Sequence, residues 1–222
     1  PLLETYPTEA YQTNVLGTLT LLEASAQAGV GVFVNISTDK AANPISVLGY
    51  SKRIAERVTA YFGANTTHGK YISVRFGNVL GSRGSVLKSF RDQIEKGGPV
   101  TVTHKGVTRY FMTISEAVQL VIQAGAIGAT GEILVLDMGK PVNIYEVAEQ
   151  LVRNSSKQIK IEVVGLRVGE KVHEELFGTG EIDERPRHPL ISHVPAKSID
   201  QNSLVASTND AREYMIRLLE EQ

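Results

Sequence analysis

Residues Val32 to Pro44 read V-F-V-N-I-S-T-D-K-A-A-N-P, and this stretch decides the fold. The first six residues, V-F-V-N-I-S, are mostly apolar and β-branched, which predicts a short buried strand. A polar loop from Thr38 to Ser46, with Pro44 inside it, ends that strand. Upstream, Val15, Leu16, Leu19 and Leu22 recur at helical spacing. Thr8, just after Pro7, reads as the N-cap of a helix running to Ala28 and closed by Gly29 and Gly31. Downstream, a helix from Val47 to Phe62 leads to a second strand, Tyr71 to Phe76 (Y-I-S-V-R-F). A glycine-rich loop, Gly77 to Gly84, and a helix from Ser85 to Lys96 follow. Helix and strand alternating through short connections specify an α/β fold with a parallel sheet covered on both faces.

Beyond Pro99 the pattern changes. Short strands are expected at Val100 to Thr103, Arg109 to Met112, Ile133 to Leu136 and Ile159 to Val164. Helices are expected at Ser115 to Ala126 and at Asn143 to Val152, with Asn143 as cap. The tail carries Pro186, Pro189 and Pro195 and closes in a helix through Leu219. The expected organisation is an α/β core over 1–99 and a smaller mixed α/β lobe over 100–222, the two interleaved.

Composition removes several classes of function. The 222 residues hold 23 Lys and Arg against 24 Asp and Glu, a net charge of −1, which argues against a nucleic-acid binder working through a basic surface. The 42% hydrophobic content is that of a globular chain. With no cysteine there is no disulfide scaffold, no thiolate zinc site and no cysteine nucleophile. His68, His104, His173, His188 and His193 are scattered without metal-ligand spacing, so no metal site is expected. No apolar run is long enough to span a membrane. The chain begins at Pro1 and is read as a piece of a longer protein.

Two loops can carry chemistry. Gly77, Gly81 and Gly84 lie between a strand and a helix, but as G-x-x-x-G-x-x-G they do not match the dinucleotide fingerprint G-x-G-x-x-G. A plain turn and a substrate loop remain open. The substrate loop is the stronger of these, because Ser82, Ser85 and the N–H groups of a helix start cradle anions and Arg83 adds charge. The second loop is Ser37-Thr38-Asp39-Lys40, at the end of a strand where open α/β sheets bind ligands. Hydroxyl, carboxyl and ammonium groups stand there in succession, a donor, an acid and a base within one turn. On those residues alone a solvated loop is the stronger reading, as an exposed helix lysine is for Lys52. Tyr110 and Phe111 read as core, and Arg185-Pro186-Arg187 as a solvated turn.

Taken together, the motifs resemble a known family. N-I-S-T-D-K-A-A-N-P (Asn35 to Pro44) followed by L-G-Y-S-K-R (Leu48 to Arg53) is similar to the nucleotide-sugar 4,6-dehydratases of bacterial polysaccharide biosynthesis. These form the CapD-like, UDP-N-acetylglucosamine 4,6-dehydratase group of the extended short-chain dehydrogenases/reductases. T-N-V-L-G-T (Thr13 to Thr18), R-F-G-N-V-L-G-S-R-G-S-V (Arg75 to Val86), T-R-Y-F-M-T-I-S-E-A (Thr108 to Ala117), G-E-I-L-V-L-D-M-G-K-P-V-N-I (Gly131 to Ile144) and R-V-G-E-K-V-H-E-E-L (Arg167 to Leu176) follow in family order. The resemblance covers nearly the whole chain.

The resemblance implies a Rossmann-like sheet with a substrate lobe, and a cycle on NADP or NAD. C4 of the sugar is oxidised, water leaves across C5 and C6, and the hydride returns to C6, giving a 4-keto-6-deoxy sugar nucleotide. In that cycle Thr38 binds the C4 oxygen, Lys40 is the base at C5, Asp39 is the acid at the C6 hydroxyl, and Lys52 holds the nicotinamide ribose. A lysine base requires partial burial or a neighbouring cation. The resemblance further implies cofactor contacts from Asn14, Ser37, Lys52, Phe76, Asn78 and Val79. It implies UDP-sugar contacts from Asn78, Ser82, Arg83, Ser85, Val86, Thr103, Arg109, Arg167 and Glu170. The arginines suit bidentate phosphate contact. It also implies a homo-oligomer with a cytoplasmic catalytic domain, in a parent protein that is membrane-anchored in the larger relatives.

Two departures stand out. Leu48 occupies the position of the family's Tyr in Tyr-x-x-x-Lys, and Tyr50 points about 200° around the helix from Lys52, so the base at the C4 hydroxyl is unassigned. The family's glycine-rich cofactor turn is expected before Pro1, so the 222-residue piece by itself is expected neither to hold NAD(P) tightly nor to turn over. A C4 epimerase or ketoreductase of the same family, or a UDP-sugar-binding protein without turnover, are the alternatives.

Overall fold

The computed structural model describes residues 2–82, 85–206, 208 and 210–221. Arg83, named above as a substrate contact, lies outside the described residues, as does Gly84.

The amino-terminal helical region is α1 (Leu2–Thr5), α2 (Pro7–Ala10), a π-helical turn (Tyr11–Leu16) and α3 (Gly17–Gln27). Thr8 is not its cap. Pro7 opens α2 as a first-turn residue and Tyr6 stands at the cap position without a side-chain bond, because proline's fixed φ suits the first helical position and its missing N–H costs nothing there. Then come β1 (Val32–Ile36), a 3₁₀ turn (Asp39–Ala41), α4 (Val47–Asn65), β2 (Lys70–Arg75), β3 (Asn78–Val79) and α5 (Val86–Glu95). Ser46 caps α4 by accepting from the Gly49 N–H, and Ser85 caps α5 by accepting from Lys88. The chain continues through β4 (Val100–Val102), β5 (Thr108–Arg109), β6 (Phe111–Met112), α6 (Ile114–Ile127), β7 (Glu132–Leu136), β8 (Val142–Asn143) and α7 (Ile144–Arg153). It ends with β9 (Ile161–Val163), β10 (Ile191–Pro195), a 3₁₀ turn (Gln201–Ser203) and α8 (Ala211–Glu220).

The chain divides into two compact units. The first comprises 1–76, 119–137 and 175–222, and the second 77–118 and 138–174. The division thus differs from the expected one at residue 99. The second unit already takes in β3 and α5, and β7 and the whole tail return to the first.

The sheet of the first unit has the order β1-β2-β7-β10. β1, β2 and β7 are parallel, and β10 joins β7 antiparallel. The expected parallel sheet is present, with an antiparallel edge strand that the proline-rich tail conceals. Its main core gathers Tyr11, Val15 and Leu22 with Val47, Ile54, Val58 and Phe62 of α4, Tyr71, Ile199, and Met215 and Leu218 of α8. On α4, Ile54, Val58 and Phe62 recur every fourth residue, so they share one face.

The second unit has its own core. Phe90 and Ile94 of α5, Val100 and Val102 of β4, Val107, and Ile144 and Ala148 of α7 pack together. The expected strand at Arg109 to Met112 is two: β5 pairs antiparallel with β8, and β6 pairs parallel with β3. β4 pairs parallel with β9.

Candidate active site

In the first unit, β1 runs directly into the S-T-D-K turn. The Ser37 N–H donates to the Val74 carbonyl and the Asp39 N–H to the Phe76 carbonyl, at 2.8 and 3.0 Å, so the turn continues the sheet's pairing before it curls into the 3₁₀ turn. Thr38 is extended and accepts weakly from the Lys40 N–H, as a cap does. Asp39 is 0% exposed. One of its oxygens, Oδ1, accepts from the Thr38 hydroxyl at 2.8 Å and from Lys40 Nζ at 2.9 Å. The other, Oδ2, is buried without a hydrogen-bond partner. Lys40 is partly buried, as a base there requires, and its Nζ is ion-paired with the Asp39 carboxylate.

Lys52 lies on α4 and donates through Nζ to the Ile36 carbonyl at 2.9 Å, which brings it to the end of β1 beside the turn. Burial lowers its pKa, and the Glu56 carboxylate one helical turn on partly offsets that. Asn14, in the π-helical turn, donates to Ser51 Oγ at 3.0 Å, one position from Lys52. Leu48 is half-buried, and Tyr50 packs against the apolar core, so no phenol stands in for the family's Tyr at that position.

Beneath the turn lies a group of charged residues that carried no site role in the sequence. Ser37 donates its hydroxyl to Glu56 at 2.6 Å, and Glu56 is bound twice by Arg75 and once by Arg53. Glu181 completes the group through Arg75 and Arg53, both at 2.6 Å. Burial pushes the Glu181 carboxyl up, but Arg75 and Arg53 prevail and hold it down at about 2.

The second unit contains a cavity of about 640 Å³. Asn78, Val79, Ser82, Ser85, Val86, Thr103, Arg109, Arg167 and Glu170 all line it, with Phe90, Phe111, Val107 and Ile144 as its apolar part. Arg109 is held rigidly. Nη1 donates to the Thr108 and Val172 carbonyls at 2.8 and 3.2 Å, and Nη2 to Glu170 Oε1 at 3.0 Å. The same Glu170 oxygen accepts from Thr103 at 2.8 Å. Ser85, capping the ten-residue α5, sets the N-terminal end of that helix at the cavity wall. A guanidinium, hydroxyls and a helix start around an apolar pocket suit an anionic group attached to a flat or apolar one.

The family model described as "Polysaccharide biosynthesis protein" matches residues 1–196. The chain belongs to that family. The kinship read from S-T-D-K-A and R-F-G-N-V is met at this level. Among curated members, the chain is 54% identical over 185 residues to the capsular polysaccharide biosynthesis protein CapD of Staphylococcus aureus, a match covering 82% of this chain and 31% of CapD. The chain thus spans about a third of the length of that relative. Among solved structures, Pen from Bacillus thuringiensis superposes with a TM-score of 0.79 at 32% identity, over 89% of this chain and 63% of Pen. The UDP-glucose 4-epimerase of Thermus thermophilus, solved with NAD, shares the fold with a TM-score of 0.65 at 23% identity, over 76% and 62% of the two chains.

Glu56, Arg53 and Glu181 are the residues that sequence reasoning missed. No sequence signal pointed to them; only the structure shows that residues 54–60 of α4 are all buried, charged Glu56 and Arg57 among them. A helix buried on every side must pair its charges internally.

Proposed function

We propose that this chain carries the catalytic turn and the nucleotide pocket of a UDP-sugar 4,6-dehydratase. It takes UDP-N-acetylglucosamine to a 4-keto-6-deoxy sugar nucleotide for polysaccharide assembly. The observation that carries this reading is Asp39: one oxygen bridges Thr38 and Lys40, and the other is buried and unspent. An elimination needs an acid and a base one proton apart, and this pair is that.

The proton balance works as follows. In the structure the pair is Lys40 ammonium and Asp39 carboxylate, joined at 2.9 Å. Moving one proton across that bond gives neutral Lys40 and protonated Asp39, the competent state. Lys40 then takes the C5 proton, the C5–H electron pair becomes the C5–C6 double bond, and the C6–O bond breaks. Asp39 protonates the leaving hydroxyl, which departs as water. The pair is thereby returned to the ionised form. Thr38 turns its hydroxyl to the C4 oxygen. NAD or NADP, when bound, would supply the hydride acceptor at C4 and the hydride donor to C6. The C4 hydroxyl proton would leave to solvent through the base that is unassigned. The Lys40 ammonium would return a proton to C5 as C6 takes the hydride, and be reprotonated from solvent. Lys52 suits its ribose, since one of three ammonium N–H groups is spent on Ile36. Arg109 and the α5 start hold the diphosphate, and the apolar part of the cavity takes the uracil.

The test is incubation of the protein, expressed from its complete reading frame, with UDP-N-acetylglucosamine and NADP in deuterated water. A dehydratase yields a product lacking one water and carrying deuterium at C5. A 4-epimerase yields an isomer with no deuterium at C5, which would sink the proposal.

A further inference from the structure

Arg75 and Glu56 are 0% and 1% exposed, and the side chains of Glu181 and Arg53 are 8% and 15% exposed. Burying four charges is costly, and apolar side chains of similar volume stabilise a core as well or better. The network therefore needs a reason other than stability, and its connections supply one. The Glu56 carboxylate has about four acceptor positions, and four donors fill them: Ser37 Oγ and Arg75 Nε on Oε1, Arg75 Nη2 and Arg53 Nη1 on Oε2. Three of those donors are guanidinium N–H groups that fix where the carboxylate sits. The fourth is the hydroxyl of the residue just before Thr38, held at 2.6 Å. Arg75 is anchored in turn by Glu181 and the Leu176 carbonyl.

We propose that Glu56 is a positioning residue for the Ser37 to Lys40 turn. It acts through Ser37 and touches neither Thr38, Asp39 nor Lys40 by hydrogen bond or ion pair. A carboxylate locked by two arginines is a fixed post, and the Ser37 hydroxyl ties the turn to it. Calling the positioned turn catalytic rests on the reading above; the tie itself does not.

Two variants separate positioning from plain stability. Ser37→Ala cuts the tie and leaves all four charges paired. Glu181→Gln weakens the network at its far end and leaves the tie intact. Amide hydrogen exchange reads the turn directly, because the Asp39, Ala41 and Ala42 N–H groups bond to the Phe76, Thr38 and Asp39 carbonyls. In Ser37→Ala these three amides should exchange about tenfold faster relative to the β2 amides, the effect of losing one charge-assisted bond. Glu181→Gln should lower the unfolding temperature without singling out the turn. In the active protein Ser37→Ala should lower kcat and leave KM for the sugar nucleotide unchanged. If the turn amides in Ser37→Ala merely track β2, or if both variants loosen the turn alike, the proposal is overturned. If the turn loosens as expected but the wild-type protein dehydrates no sugar nucleotide, the positioning stands and the dehydratase reading falls.

Discussion

A side chain at Gly49 would strike the backbone of Lys40. Its Cβ would sit 2.4 Å from the Lys40 carbonyl oxygen and 2.9 Å from Pro44 Cβ. The first turn of α4 is thus pressed against the Ser37 to Lys40 turn at a distance only glycine allows. Gly49→Ala must move one of them, and the opposing atom is backbone, which cannot rotate away. Overpacking of this kind costs about 1–3 kcal/mol, and here the displaced group is the proposed base. Chemical denaturation should show a loss in that range, with a larger fractional loss in kcat than in UDP affinity. Full activity in Gly49→Ala would show that the contact does not set the position of Lys40.

Asp39 and Lys40 are assigned different protons, so their variants should fail at different steps. Asp39→Asn keeps the hydrogen-bond acceptor but cannot give a proton to the leaving hydroxyl, and Lys40 must then give up its own proton to solvent instead of to residue 39. It should slow product formation by about 10²–10⁴-fold while still exchanging the C5 hydrogen of a 4-keto intermediate with solvent. Lys40→Met should abolish both. Mass spectrometry of recovered substrate in deuterated water distinguishes them. Equal deuterium uptake in the two variants would remove Lys40 from its role.

The elements bounded by clear caps and turns were legible: α4, α5, α7, β1 and β2 fall within a few residues of their expected ends, although β1 is not the buried strand expected, since Val32 and Ile36 at its ends are exposed. β10 was not, since Pro189 and Pro195 flank it and proline reads as a strand breaker. An edge strand tolerates it there, and Pro195 pairs with Glu132 at the strand's end. The segment Arg109 to Met112 looked continuous but changes partner at Tyr110, which no local pattern encodes. The site divides the same way. The S-T-D-K turn is contiguous in sequence, so its hydroxyl, carboxyl and ammonium groups can be read together, although on those residues alone a solvated loop is the stronger reading. The post beneath it joins Glu56 to Glu181, 125 positions later, and such a pairing has no spacing to read.

Arg109 should contribute to phosphate affinity more than any exposed arginine, because its guanidinium is already oriented by Glu170 and two carbonyls. A preoriented donor loses little entropy on binding. Calorimetry with UDP should show Arg109→Met weaker by about ten- to a hundredfold, the value of hydrogen bonds to a charged group. Binding of uridine, which lacks the phosphates, should be unchanged. A parallel loss for uridine would place Arg109 in the shape of the pocket and not at the diphosphate.

Glu181 makes the stability of the first unit sensitive to acid. Its carboxyl is held at about 2, below the ordinary 4.5, by Arg75 and Arg53 against the upward push of burial. The folded state therefore keeps this carboxylate ionised where the unfolded chain has already bound a proton. The contribution is complete above pH 4.5 and drains away as pH falls towards 2. Glu181→Gln cannot titrate, so it should be the less stable protein at neutral pH, and its deficit relative to wild type should shrink steadily on acidification. Urea unfolding followed at about pH 7, 5 and 3.5, across the window in which a carboxylate of normal pKa takes up its proton, measures that gap. A gap that stays constant would mean the Glu181 carboxylate gains nothing from its two arginines on folding.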